Sequence, residues 1–282
     1  MNAPAPDQGT REFAFSDEDF TALRALVHRM TGISLSETKR NLVYGRLSRR
    51  LRILRLDSFA QYRKLLESEP DGQEMVEFCN AITTNLTSFF REAHHFEYLR
   101  QQILAPLAEA RPGHRLRIWS AGCSTGEEPY SIAMTAAEAG DGTARATTVL
   151  ASDIDTRVLA TAARGVYAAD SRGLSPQRLR SHFLRGKGAN SGFIRIKPEL
   201  AKLVEFRTVN LVEGQWAMGE PFDIVFCRNV MIYSDAPTQR RVLERIHRVM
   251  KPGGTLYVGH SENFSESRDL FRLRGKTIYQ RV

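Results

Sequence analysis

Residues 117–131 read RIWSAGCSTGEEPYS. The stretch opens as a short apolar strand around Leu116, Ile118 and Trp119, breaks into a small-residue turn over 122–126, and re-enters a helix at Glu127, Glu128 and Pro129. Strand, glycine turn and helix in that order form the first βα unit of a doubly wound sheet, where a nucleotide-like ligand sits over the helix N-terminus. Two glutamates opening the helix suit its dipole, yet they would repel a pyrophosphate. The ligand expected here is therefore nucleotide-like but not anionic at this turn. An adenosyl sulfonium fits better than a dinucleotide.

Working outward, 282 residues suffice for one large or two modest domains, and 42% apolar with 26% charged residues is ordinary globular composition. No apolar run reaches membrane-spanning length. The N-terminus, MNAPAPDQGTREF, has no apolar core and reads as a short disordered leader over residues 1–12 rather than a secretory signal. Cys79, Cys123 and Cys227 are odd in number and outside any CxxC spacing, which points to a reducing cytoplasm and away from a zinc or disulfide framework. A net charge of +8 serves solubility on the bland reading, and an anionic partner, nucleic acid or acidic protein surface, on the functional one.

Residues 13–82 read as an all-helical domain. Ser16 with Asp19 has the form of a capping box. Phe20, Leu23, Val27 and Met30 repeat at helical spacing behind it, and Gly32 stops the helix. A second helix, starting near Ser36, stripes Val43, Leu47, Leu51 and Leu54 on one side and Arg46, Arg49 and Arg52 on another, with Arg50 and Arg55 on the flanks. Five arginines in ten residues with no acid among them raise a docking surface above a merely solvated face. Helices from Ser58 (Phe59, Tyr62, Leu66) and through Met75, Phe78 and Ile82 complete the domain.

The rest, 83–282, reads as an α/β domain. It opens with ITTNLTSFFRE (82–92), a polar, β-branched segment expected to act as lid or floor of the ligand site, with Ser88 capping the helix of Phe96, Leu99 and Ile103. The bland reading is a capped linker. Adjacent His94 and His95 are expected on different helix faces, a poor metal pair, so no metal is assigned. After a Gly/Asp loop at 141–143, a second strand (147–152) ends in Asp153, the ribose-binding position of this architecture. Its offset from Gly126, 153 − 126 = 27, is longer than the usual ~20, which that loop allows. Asp155 is expected to cap the next helix. Residues 166–206 interrupt the rhythm as a small β insert, with Phe193, Ile194 and Ile196 in a hairpin pattern. Strands then recur at 204–209, with Asn210 and Leu211 at the tip; at 222–227, before Arg228 and Asn229; and after Lys-Pro-Gly-Gly at 251–254. A terminal antiparallel hairpin brackets Arg274, Gly275 and Lys276. The fold class expected is thus a Rossmann-like seven-stranded sheet with an antiparallel C-terminal hairpin, a small β insert and an all-helical N-terminal domain.

The Lys-Pro-Gly-Gly turn and the acidic second-strand tip together resemble class I S-adenosylmethionine-dependent methyltransferases. TTNLTSFFRE, STGEEPYS, ASDID, FCRNVMIY and GHSENF narrow the resemblance to the CheR family of chemotaxis receptor methyltransferases, over residues 13–280. That resemblance implies methyl transfer from S-adenosyl-L-methionine, leaving S-adenosyl-L-homocysteine, to glutamate side chains of methyl-accepting chemotaxis receptors as methyl esters, by a cytoplasmic monomer that neither inserts in membrane nor binds nucleic acid. It implies cofactor contacts at Asn85, Thr87, Arg91, Glu128, Asp153, Asn210, Leu211, Arg228 and Asn229, and substrate-directed roles for Arg91 and Tyr233.

The residue chemistry agrees with this. Glu128 can hold the methionyl amine, Asp153 both ribose hydroxyls, and Asn210 with Leu211 a polar edge and an apolar face for adenine. A glutamate side chain, which ordinarily titrates near pH ~4.3, is already ionised at neutral pH and needs no general base, so the task is orientation. Arg91 would grip one carboxylate oxygen and Tyr233 aim the other. Without the resemblance, Arg91 is a surface arginine, Tyr233 a packed loop tyrosine, and the cysteines small packing residues. Arg46, Arg49, Arg50 and Arg52 are the candidate dock for acidic receptor helices, and the insert a candidate dock for a receptor C-terminal peptide. Three rivals are weaker. A nucleic-acid amine methyltransferase would commonly carry Asn/Asp-Pro-Pro-aromatic where Arg228–Met231 stands; a non-catalytic docking module would not need Arg91, Asp153 and Tyr233; and an oxidoreductase would show GxGxxG.

Overall fold

The computed structural model describes residues 11–110 and 113–282, which divide into two compact units between Thr83 and Thr84. The first unit is helical: α1 (Asp17–Thr31), α2 (Arg40–Leu54), α3 (Phe59–Ser68) and α4 (Gln73–Ile82). Ser16 closes a complete capping box with Asp19, and Gly32 ends α1 in the left-handed region. The expected stripes form the core: Phe20, Leu23, Val27, Val43, Leu47, Leu51, Phe59, Tyr62, Leu66 and Phe78 are at most 1% exposed. Each buried side chain of this size stabilises by roughly 1.5–3 kcal/mol.

The arginine face is not an unpaired one. Arg50 turns inward, with its side chain 13% exposed, and pairs with Glu74 and Glu77 of α4. The Tyr62 hydroxyl donates to the same Glu74 at 2.7 Å. Arg46 donates to the carbonyls of Ile82 and Thr83, and Arg52 makes a two-pronged pair with Glu12. Arg49 is exposed. The sequence lacks acids beside these arginines, but the fold supplies them from 40 residues upstream and 24 downstream. Of the leader expected over 1–12, residues 1–10 lie outside the described residues; Arg11 is placed over the Tyr44 ring and donates to Asn41.

In the second unit α5 (His94–Tyr98) runs through a π-helical stretch, Leu99–Leu104, into α6 (Ala105–Ala110). Then follow β1 (Leu116–Ala121), α7 (Glu127–Glu138), α8 (Asp141–Ala146), β2 (Thr147–Asp153), α9 (Thr156–Arg164), β3 (Val166–Ala168), α10 (Pro176–His182), β4 (Phe183–Arg185), β5 (Phe193–Ile196), α11 (Pro198–Ala201), β6 (Val204–Thr208), β7 (Phe222–Cys227), α12 (Ala236–Val249), β8 (Met250–Val258), β9 (Phe271–Gly275) and β10 (Ile278–Arg281). The main sheet has the order β6-β2-β1-β7-β8-β10-β9. Its first five strands are parallel, and β10 and β9 are antiparallel. Strand order reverses between β1 and β7, so their C-terminal ends form the switch-point crevice. Apolar clusters pack both faces: Ile118, Tyr130, Phe226 and Tyr257 in one, Trp119, Phe222, Val225, Ile246 and Leu256 in the other. The insert is a separate three-stranded antiparallel sheet, β3-β5-β4.

Three local expectations change. Ser88 caps no helix: its carbonyl accepts the Arg91 amide in a turn, and the helix begins at His94 without a side-chain cap. The glycine loop at 141–143 is wound into α8, which nonetheless supplies the extra length before Asp153. Lys-Pro-Gly-Gly lies inside β8 as an irregularity, since pairing slips from Phe222 opposite Met250 to Ile224 opposite Thr255. Among the described residues no helix is long and apolar enough to cross a membrane.

Candidate cofactor and substrate site

The turn after β1 is held from three directions. The amides of Gly122 and Cys123 both donate to the Ser152 carbonyl at 2.8 Å, tying it to β2. The Ser124 amide donates to Asp153 Oδ2 at 2.8 Å, and the Tyr167 hydroxyl of β3 donates to the Thr125 carbonyl at 2.8 Å. Gly122 needs its missing side chain twice over, with φ at +76° and a Cβ position 2.4 Å from Val230 Cγ2. The turn therefore lies directly against the loop after β7.

Asp153, 8% exposed at the tip of β2, receives the amides of Ser124 and Asp155. Burial pushes its carboxyl up and these amides oppose that. Asp155 caps α9 as expected, accepting from Arg157 and Val158. Its other oxygen accepts the Asn85 side-chain amide at 2.9 Å, and the Ser124 hydroxyl donates to the Asn85 carbonyl. The segment 84–92 is thus pinned to the turn at its start. Its end is anchored by Phe89 against Tyr167 and Phe183, and by the Phe90 amide on the Ser131 hydroxyl. Thr87 lies half-buried between these anchors.

Glu128 has a different role from a free acid. Its Oε1 accepts from Ser120 and its Oε2 pairs with Arg228 at 3.1 Å. Burial pushes its carboxyl up, and Arg228 works against that. The two glutamates therefore do not face the ligand bare, contrary to the reading of the turn alone: Arg228 matches Glu128, and the Thr125 hydroxyl donates to Glu127. Arg228, with its side chain 2% exposed, also donates to the Arg91 carbonyl and lies 3.6 Å from Glu92 Oε2. For Glu92, burial would raise the carboxyl, but Arg228 and the bonds from His260 outweigh it and the net shift is downward.

Glu92, His94 and His95 bring potential ligand atoms within 4.8 Å of one another. The expectation that the two rings diverge fails, since their centroids are 4.1 Å apart. Burial and Arg228 lower the His95 pKa, its Nε2 lies 2.8 Å from the Thr277 hydroxyl, and Arg228 already supplies the positive charge beside Glu92. Only Glu92 and Arg228 form an ion pair in this cluster; among the described residues, Glu92 Oε2, His94 Nε2 and His95 Nδ1 are buried without a hydrogen-bond partner.

At the far strands, Asn210 Oδ1 accepts from Val212, its carbonyl accepts from Trp216 Nε1, and half-buried Leu211 follows. Asn229 sits in the left-handed region with φ +58°. A short 3₁₀ turn, Met231–Tyr233, ends in Tyr233, which is 41% exposed. Arg91, half-buried, donates to the Leu86 carbonyl at 2.9 Å. Of the residues read from the sequence, Asn85, Asp153 and the turn form one bonded group; Glu128, Arg228, Asn229 and the Arg91 main-chain carbonyl form a second, in which Arg228 bonds Glu128 and the carbonyl and Glu92 joins Arg228 to Asn229. Asn210 and Leu211 lie beyond both, at the tip of β6. The arginines 46, 49, 50 and 52 belong to the other unit. A cavity lined by His114, Arg117, Thr148 and Lys251 lies at the opposite sheet edge, where the strands begin, and includes none of these groups.

Sequence reasoning missed Glu92, Ser120 and Glu262 as site builders. Glu92 ends TTNLTSFFRE and Glu262 stands inside GHSENF, but nothing in a sequence distinguishes a buried organising carboxylate from a solvated one.

The donor set fits an adenosyl sulfonium. A carboxylate has about four lone-pair positions, and the amides of Ser124, Asp155 and Ile154 leave Asp153 acceptor capacity for a ribose hydroxyl. The opening helix bears acids and no lysine or arginine for a phosphate. A doubly wound sheet of this strand order, with a small-residue turn after β1 and an acid ending β2, defines an S-adenosylmethionine-dependent methyltransferase. The chain belongs to the CheR family: residues 85–280 match the family model "CheR methyltransferase, SAM binding domain", and 18–83 match "CheR methyltransferase, all-alpha domain". It is similar to chemotaxis protein methyltransferase 2 of Pseudomonas aeruginosa (50% identity; 99% of this chain, 98% of the relative). It is also similar to the chemotaxis protein methyltransferases of Klebsiella aerogenes (50%; 96% and 92%) and Escherichia coli (47%; 96% and 93%).

Proposed function

We propose that this enzyme methylates glutamate side chains of methyl-accepting chemotaxis receptors, forming γ-methyl esters. The observation that carries the reading is the second bonded group: the Arg91 main chain and the loop ending in Tyr233 are joined through Arg228 and Glu92 at the switch-point crevice. S-adenosylmethionine, when bound, supplies a methyl group on a positively charged sulfur. Asp153 would hold its ribose, Asn85 and Thr87 would close over it, Asn210 and Leu211 would receive the adenine, and Glu128, Arg228 and Asn229 would shape the methionyl end.

A glutamate carboxylate reaches this site ionised and attacks without a base. Ester formation on an ionised carboxylate moves no proton, so the residues of this site would bind and orient the carboxylate and not transfer a proton to or from it. What the protein must supply is alignment, worth several kcal/mol when the reacting atoms are held in line. Arg91 carries five N–H donors, of which one engages Leu86, leaving donors for one carboxylate oxygen. Tyr233, partly exposed, can donate to the other. Cys123 and Cys227 are buried, with their thiol pKa values pushed up by burial, and have no part in ester formation.

Arg49 and Arg52 remain the docking candidates for acidic receptor helices; Arg50 is committed to Glu74. Support for peptide docking at the insert is the exposure of Leu184 and Phe193, each 49%, with β4 at a sheet edge. The decisive experiment incubates the enzyme with methyl-labelled cofactor and receptor-containing membranes, then treats with base. Volatile methanol release is expected; base-stable label, or label in nucleic acid, would refute the reading.

A further inference from the structure

The stretch GHSENF remains without a role, and its acid is a fully engaged carboxylate near the site. Glu262 is 4% exposed. Its Oε2 accepts the amides of Gly259 and Asn229, the latter at 2.9 Å. Its Oε1 accepts those of Val230 at 3.0 Å and Met231 at 2.8 Å. Four donors fill the four lone-pair positions of a carboxylate, so Glu262 has nothing left to offer a ligand.

Three of those donors are consecutive and belong to the loop that leaves β7 and ends at Tyr233. That loop lacks strand pairing for these amides, and Asn229 is held at φ +58°, a conformation that needs support. The fourth donor, Gly259, brings the end of β8 so close that a Cβ there would lie 2.3 Å from the Asn229 side-chain nitrogen. The carboxylate is the common hub on which the two loops are set.

We infer that Glu262 is a positioning residue for methyl transfer, fixing the 229–233 loop and through it the Tyr233 hydroxyl. The inference rests on the role proposed above for Tyr233. Glutamine in its place offers one acceptor oxygen, satisfying at most two of the four amides, and turns two N–H groups toward the others. Displacement of the loop by a fraction of an ångström should then appear in turnover at saturating cofactor, and in cofactor binding as far as Asn229 moves with it.

The test is a double-substitution cycle with Glu262→Gln and Tyr233→Phe, measuring kcat and KM at saturating cofactor at 25 °C, with cofactor Kd by calorimetry. Glu262→Gln is expected to lower kcat at saturating cofactor about tenfold or more, and the double variant to fall no further than the worse single one. Turnover of Glu262→Gln within about twofold of the parent, or losses that multiply in the double variant, would overturn the inference. A large loss in Glu262→Gln beside unaltered Tyr233→Phe would reject the role of Tyr233 instead. Should Glu262→Gln not fold, hydrogen exchange of the parent decides: the amides of 229–231 are expected to be strongly protected despite lying in a loop, and rapid exchange would overturn the inference.

Discussion

Replacing Arg228 by methionine should destabilise the second unit severely, and more at high pH than at low. The guanidinium lies 3.1 Å from Glu128 and 3.6 Å from Glu92, and both carboxylate side chains are about as buried, at 12% and 11% exposed. At an effective dielectric of ~20, each attraction is on the order of 5 kcal/mol, much of it offset by the cost of desolvating three ions. Truncating one member is different, because two charges stay buried without their partner, and such losses run to about 3–5 kcal/mol. For a unit spanning Thr84–Val282, about 2–4 °C per kcal/mol converts this to a Tm decrease of about 6–20 °C. Burial already raises the Glu128 carboxyl with Arg228 present; without it the pKa rises further. A group with a raised folded-state pKa favours the fold when protonated and loses that contribution as pH rises through the raised value. The Tm gap between parent and Arg228→Met should therefore narrow from pH 8 to pH 5, and adding Glu128→Gln should recover part of the loss at pH 8. Thermal melts by circular dichroism at the two pH values measure this. A gap below about 3 °C at pH 8, or one that widens in acid, would refute the reasoning.

Gly122→Ala places a methyl group against Val230 at a positive φ, so cofactor affinity by calorimetry should fall about tenfold, and an added Val230→Ala should restore part of it. Arg49→Glu should raise KM for receptor in a salt-dependent way with Tm unchanged, whereas Arg50→Glu, which breaks the pair with Glu74, should lower Tm by more than about 5 °C; equal behaviour of the two would contradict the division of that face. Cys123 and Cys227, buried with raised thiol pKa values, should resist iodoacetamide at pH 8 until denaturant is added, as read by mass spectrometry.

The helical stripes, the αβ alternation and the turn 122–126 were legible because each is a local pattern with a fixed period or a steric requirement. The capping roles of Ser16 and Asp155 were legible for the same reason: a cap and its amides lie within three residues. What stayed hidden was pairing at a distance. Arg50 looks solvated until α4 brings Glu74 to it, Glu128 looks bare until Arg228 arrives from 100 residues on, and Ser88 looks like a cap although the chain turns once more before the helix. Alternation marked the insert but not its attachment to the turn.

That attachment limits how such enzymes can be recombined. Tyr167 of β3 props the turn at Thr125, Phe183 of β4 packs on Phe89, and Gly173 passes so near the Phe89 carbonyl that a methyl group would overlap it at 1.8 Å. The small sheet is therefore a buttress of the catalytic floor and not a detachable module. Grafting the insert of another methyltransferase here to change its docking preference will succeed only if the graft brings a tyrosine, an aromatic ring and a glycine to those three places.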